Sequence, residues 1–166
     1  MGKIIYAAYG SNLLKERFTV YIKGGEFEGY KYEGCKDKTE PEDLGWIYVP
    51  YRLYFAKNSP KWENKGVAFL GYEEELDPKY QAVVRLWKIS KSQFEDIHKQ
   101  EGKSWYHKVL SLGEKDGLKV KTITGSWMKE LNPPSRKYFD VIKRGLKETT
   151  AWSDEKIENY LEKFLR

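Results

Sequence analysis

YAAYGSNL, Tyr6 to Leu13, reads as a strand that runs directly into an anion-binding turn. Ile4, Ile5, Tyr6, Ala7, Ala8 and Tyr9 are mostly apolar with strong strand formers, the pattern of a short buried strand bounded by a turn signal. Gly10 ends it. Gly10, Ser11 and Asn12 tolerate unusual backbone angles, and Leu13 to Arg17 (LLKER) has the composition of a helical first turn. Backbone N–H groups of such a turn converge on an oxyanion or a carboxylate. Taken alone, the same residues read more simply as an ordinary strand-to-helix connection with Ser11 or Asn12 as N-cap.

Outward from the turn, the 166 residues predict one domain over 1–166, long enough to bury a sizeable core. Six Trp, thirteen Tyr and seven Phe argue for a folded protein in spite of 33% charged residues. The 30 basic and 25 acidic residues are interspersed, so the net charge of +5 describes a solvated, basic-biased surface that suits an anionic small substrate better than nucleic acid. Cys35 is the one cysteine, which excludes an intramolecular disulfide and fits a reducing, cytoplasmic setting. No leader pattern and no apolar run of ~20 residues occurs, so no membrane partner is expected.

Phe18 to Leu44 is the least regular part, with Gly24, Gly25, Gly29, Gly34, Pro41 and many charges. It predicts a long surface excursion, whose Phe27, Tyr30 and Tyr32 either cover a site or form satellite packing. Cys35 within it reads as a quiet buried thiol. Trp46 to Ala56 is β-rich and alternates at Tyr51, Leu53 and Phe55, with Pro50 marking a strand start, edge or bulge. Gly66 to Tyr72 and Gln81 to Ile89 are further strands, and the spacing predicts a mixed or antiparallel sheet closing toward a small barrel.

Ser90 and Gln93 form a capping box for a short helix that ends near Gln100. Glu101 then falls at the helix C-terminus, with Gly102 as the αL residue that stops it. Partial negative charge at that end disfavours an ionised carboxylate, and burial beside Trp105 and Tyr106 disfavours it further, so the Glu101 pKa is expected above about 4.3. His98 and His107 flank this segment without metal-site spacing. Tyr106 to Leu112 and Leu118 to Trp127 read as a hairpin turning at Asp116-Gly117. Pro133, Pro134 and Ser135 open a helix over Arg136 to Lys147 with Tyr138 on its apolar face. Ser153 caps a last helix whose Ile157, Tyr160, Leu161, Phe164 and Leu165 serve the core or a homodimer face.

YGSNL after an apolar strand, QEGKSWY (Gln100 to Tyr106) at a helix end, the strand order YRLYF, GVAF, AVVRLWKI between them, and the later Pro134, Ser135, Tyr138, Gly145 pattern together resemble the γ-glutamylcyclotransferase-like family. The resemblance covers most of the chain and is weakest from Phe18 to Leu44. It implies an α+β fold, a small mixed β-barrel with flanking helices. It also implies an enzyme that cyclises the glutamyl group of a γ-glutamyl amino acid or amine to 5-oxoproline and releases the free amine, with no cofactor and no metal. Glu101 is then the general base and acid. Tyr9, Gly10, Ser11, Asn12 and Leu13 form the oxyanion or carboxylate site, and Tyr106 and Tyr138 offer hydroxyls to the substrate. Two other classes stand beside this one: a non-catalytic small-ligand module on the same fold, and a nucleic-acid-binding surface. Glu101 in its context favours the enzyme, while nothing in the residues identifies the leaving amine.

Overall fold

The computed structural model describes residues 2–165. Its first part runs β1 (Lys3–Ala8), α1 (Lys15–Lys23), β2 (Gly25–Phe27), β3 (Tyr30–Tyr32), β4 (Glu42–Val49), β5 (Leu53–Ser59) and β6 (Lys65–Leu70). The second part runs β7 (Ala82–Ser90), α2 (Lys91–Glu101), β8 (Lys108–Lys115), β9 (Leu118–Thr124), α3 (Arg136–Thr150) and α4 (Asp154–Glu162). Ile4 to Ala8 form an unbroken buried run because β1 is the middle strand of a five-stranded sheet of order β4-β7-β1-β9-β8. A strand covered on both faces needs apolar residues at every position, where a half-exposed one alternates. β1 pairs antiparallel with β7 from Lys3↔Ser90 to Ala8↔Arg85, and parallel with β9 at Ile5↔Val120.

The α+β architecture is as expected. Among the described residues its strands do not close into one hydrogen-bonded ring: the β5–β6 hairpin forms its own two-stranded ladder. Side chains join it to the sheet instead. Thr124 Oγ1 at the end of β9 accepts from the Leu70 N–H and donates to the Leu70 carbonyl, both at 2.8 Å. A fully buried hydroxyl thereby satisfies two backbone groups that a closing ladder would have paired.

Phe18 to Leu44 departs most from expectation, being largely ordered into α1, the β2–β3 hairpin and the start of β4 rather than an irregular excursion. α1 is held by tertiary packing: the Phe18 ring stacks on Tyr6 at 5.3 Å and on Trp87 at 5.1 Å. Thr19, Val20 and Tyr21 are weak helix formers, and burial of Phe18, Tyr21 and Ile22 offsets that weakness. Pro50 separates two strands, with β4 on the five-stranded sheet before it and β5, which begins after it at Leu53, on the hairpin.

α2 begins at Lys91 with the capping box formed as read, Ser90 accepting from the Gln93 N–H and Gln93 reaching back to the Ser90 N–H. It ends at Glu101, and Gly102 stops it with φ +96° and ψ 106°, a positive-φ conformation outside the αL region that glycine alone adopts without strain. Asp116 and Gly117, with φ of 53° and 79°, turn the β8–β9 hairpin as predicted. α3 extends to Thr150, three residues past the expected end. On α4 and the turn after it, Ile157, Tyr160, Leu161 and Phe164 are buried in the core, while Leu165 stays exposed. No helix among the described residues is long and apolar enough to cross a membrane.

Candidate active site

The C-terminal end of β1 opens onto a cavity of about 400 Å³. Tyr6, Tyr9 and the Gly10-Ser11-Asn12 turn reach it from one side, and Glu101 reaches it from the end of α2. Ala68 on β6, Tyr106 and Tyr138 complete the inner wall. Motifs some 90 residues apart in the chain thus face one space: α2 leaves β7 at Ser90, which pairs with Lys3 at the start of β1, and its 11 residues bring Glu101 back to the turn that follows the end of β1.

Asn12 joins the two motifs directly. Its Nδ2 donates to Glu101 Oε1 at 3.0 Å and to the Tyr6 hydroxyl at 3.1 Å. The backbone of Asn12 is fixed as well, since its carbonyl accepts from Trp87 Nε1 at 3.2 Å and Trp87 is fully buried. Asn12 Oδ1 is buried without a hydrogen-bond partner.

Glu101 is partly buried as a residue, and burial of its carboxyl raises its pKa above the ordinary carboxylate value. Arg17, the Asn12 amide, the Tyr21 hydroxyl and Lys61 all pull the other way without cancelling that effect. The dominant cause is desolvation, to which the helix end adds in the same direction. A carboxyl in such a state takes and returns protons near neutral pH more readily than a solvated one.

The two tyrosines assigned by resemblance bind the same residue with opposite polarity. Tyr106 donates its hydroxyl proton to the Ala68 carbonyl at 3.0 Å, whereas Tyr138 accepts from the Ala68 N–H at 3.0 Å. Tyr138 therefore keeps its own proton for the cavity, and Tyr106 keeps only lone pairs. Tyr9 donates to the Ile123 carbonyl at 2.7 Å and contributes its ring to the cavity. Burial raises the pKa of Tyr9, Tyr106 and Tyr138, so all three are neutral phenols.

Leu13, read as part of the binding turn, does not line the cavity. It is buried beneath α3, and its carbonyl accepts from Arg85 Nη1 at 2.8 Å. Its place follows from Gly145, where a Cβ would come within 2.7 Å of both Leu13 Cβ and Leu14 N. Leu13 thus seats the turn on the core.

Arg17, Tyr21, Lys61 and Gln100 are among the cavity residues that escaped the sequence reading. Arg17 is 3% exposed on the same α1 face as Phe18 and Tyr21, and an arginine four residues before a buried tyrosine was the available signal. Its Nη2 donates to the Tyr21 hydroxyl at 2.9 Å and its guanidinium lies 4.5 Å from the centres of the Tyr21 and Tyr32 rings. Gln100 locks α2 to α1, donating to the Tyr21 carbonyl at 2.9 Å and accepting from the Gly34 N–H at 3.0 Å. Cys35 is buried nearby, and burial with Asp96 beside it pushes its thiol up to about 12, which suits packing and not nucleophilic attack. His98 holds the Tyr106 carbonyl through Nε2. No group of three or more His, Cys, Asp or Glu side chains among the described residues is placed to hold a metal ion.

No protein-family model matches the chain. Among curated proteins, it is 30% identical to histone deacetylase 5 of Arabidopsis thaliana over 95% of its own length. The chain spans only 30% of that relative. Among solved structures, a γ-glutamyl cyclotransferase superposes with a TM-score of 0.69 and 20% identity, over 95% of this chain and 87% of that one. An uncharacterized human protein superposes with a TM-score of 0.70 and 22% identity, over 95% and 88%. YkqA of Bacillus subtilis gives 0.62 and 18%, over 99% of this chain and 55% of its own. The chain has the γ-glutamylcyclotransferase-like fold.

Proposed function

We propose that the chain is a cyclotransferase that converts the glutamyl half of a γ-glutamyl compound to 5-oxoproline and releases the amine. The observation that carries this reading is Glu101, a carboxyl held above its ordinary pKa, facing a cavity of about 400 Å³ and hydrogen-bonded at 3.0 Å to Asn12 of the Gly10–Asn12 turn. The substrate's own α-amine is the nucleophile, so no Ser, Cys or metal is required. With a reference pKa of about 7.7–8.0 the amine is largely an ammonium at neutral pH, and Glu101 takes its proton.

The amine nitrogen then bonds to the γ-carbonyl carbon, closing the five-membered ring, and the carbonyl oxygen becomes an oxyanion. Backbone N–H groups of the turn and the free hydroxyl proton of Tyr138 are suited to stabilise it. As the carbonyl re-forms, the bond to the leaving nitrogen breaks, Glu101 gives that nitrogen the proton it took, and the carboxylate so regenerated takes the second proton from the ring nitrogen, leaving the neutral lactam and the free amine. Holding amine and carbonyl at ~3 Å contributes an effective molarity of roughly 10⁵–10⁸ M. Glu101 is the one carboxyl among the described residues that line the cavity, and Tyr9, Tyr106 and Tyr138 beside it are neutral phenols, so Glu101 is the base available there.

The test is incubation of the purified protein with a panel of γ-glutamyl amino acids and γ-glutamyl amines, with 5-oxoproline measured by mass. Release from at least one is expected. Folded protein that binds a γ-glutamyl compound and releases nothing is a binding module instead.

A further inference from the structure

The cavity's charge is unbalanced in a way that the reaction alone does not need. Its charge-bearing lining groups among the described residues are two cations, Arg17 and Lys61, and one carboxyl, Glu101. Arg17 lies deep in the wall and Lys61 at the exposed rim, and neither has a carboxylate within ion-pair distance among the described residues.

Lys61 is placed there by a built support. It sits on the short turn Pro60–Trp62, and Trp62 is buried against Tyr138 at 4.8 Å between ring centres. Tyr30 donates its hydroxyl to the Pro60 carbonyl at 3.3 Å, tying the β2–β3 hairpin to this turn. The hairpin is anchored at its own bend, where Glu28 pairs with Lys137 of α3 at 3.2 Å. Lys61 Nζ lies 4.5 Å from the centre of the Tyr32 ring and 5.8 Å from that of Tyr30, so aromatic faces hold the ammonium without neutralising it. Its charge reaches inward, since it lowers the Glu101 pKa.

We propose that Lys61, backed by the Tyr30–Tyr32 hairpin, is a carboxylate subsite for the leaving half, so that the preferred substrate is a γ-glutamyl amino acid or peptide with a free carboxylate, and not a γ-glutamyl amine. The proposal rests on the cyclotransferase reading above. Charge counting supports it. A γ-glutamyl amino acid carries one ammonium and two carboxylates, which match one acid and two cations in the cavity. A γ-glutamyl amine lacks the second carboxylate and leaves one cation unanswered. With the ammonium at Glu101, the glutamyl carboxylate falls to the inner cation field of Arg17, and the carboxylate across the scissile bond falls to the rim.

The experiment compares γ-glutamyl-alanine with its neutral isostere γ-glutamyl-alaninamide, in the wild type and in Lys61→Gln. Lys61 is exposed, so its replacement does not threaten folding. The wild type is expected to favour the acid by roughly 5- to 10-fold in kcat/KM, mainly through KM, and Lys61→Gln to remove most of that preference while costing the amide far less. Added salt should shrink the preference, as a rim ion pair requires. Equal kcat/KM for acid and amide in the wild type, or an equal loss on both in Lys61→Gln, overturns the subsite. Binding of the same pair to Glu101→Gln, followed by calorimetry, separates the two claims. Tighter binding of the acid without turnover in the wild type upholds the subsite and refutes the reaction; equal binding refutes the subsite whatever the turnover.

Discussion

Asn12 Nδ2 lies 3.0 Å from Glu101 Oε1, a contact between residues 89 positions apart that joins the turn after β1 to the end of α2. Its polarity matters, because an amide N–H donates and cannot accept, so it bonds the carboxylate more strongly than the neutral acid and favours the ionised state of a group that burial drives toward neutrality.

Asn12→Ala is therefore predicted to raise the Glu101 pKa further and move the acid limb of the kcat/KM profile to higher pH. A loss of about tenfold at neutral pH should accompany the shift, with partial recovery at alkaline pH. A pH–rate profile checks this, and an unshifted acid limb contradicts it.

Glu101 itself costs stability. Its folded pKa exceeds the unfolded value of about 4.3, so between the two the native state binds more protons and stability falls as pH rises. Stability is full below the unfolded pKa and is lost as pH climbs through the folded one. Glu101→Gln should melt at the same or a higher temperature than the wild type at pH 7, with the difference closing below about pH 4. Thermal melts at the two pH values test the sign.

The paired tyrosines are separable because their bonds to Ala68 run in opposite directions. Tyr138→Phe removes the one phenol of the two whose proton is free for the developing oxyanion, and a loss of roughly 10²-fold in kcat is expected. Tyr106→Phe removes no such donor and should cost kcat far less. Each leaves one buried backbone group of Ala68 unpaired, a comparable penalty of about 1–3 kcal/mol visible in denaturant melts.

Gly145 is predicted to be intolerant even of alanine. Helix propensity alone would favour Ala by about 1 kcal/mol. A Cβ 2.7 Å from Leu14 N meets backbone that cannot yield without moving the binding turn. Overpacking of about 1–3 kcal/mol should win and lower the melting temperature by several degrees. A rise in melting temperature contradicts the close approach of α3 to the turn.

Much of this was legible in the residues because local signals agreed with the fold. The unbroken apolar run of β1, the Ser90–Gln93 box and the Asp116-Gly117 turn each carry their geometry within a few residues. Glu101 stood out because a carboxylate at a helix C-terminus followed by Gly102 breaks a local rule. What stayed hidden depends on partners distant in sequence. α1 owes its stability to Phe18 stacking on Tyr6 and Trp87, which weak propensity in Thr19 and Val20 concealed. Lys61 looks like any surface lysine until the β2–β3 hairpin is seen to hold it at the cavity rim. Leu13 belongs to the motif but faces the core, a distinction fixed by Gly145 more than 130 residues away.

The most direct measurement is 5-oxoproline release from γ-glutamyl-alanine by the wild type and by Glu101→Gln, with melting curves recorded for both. Release by the wild type, reduced at least ~10²-fold in a variant that melts no lower, is the predicted result. No release by folded wild type, or wild-type turnover in Glu101→Gln, contradicts the assignment of Glu101 as the base of a cyclotransferase.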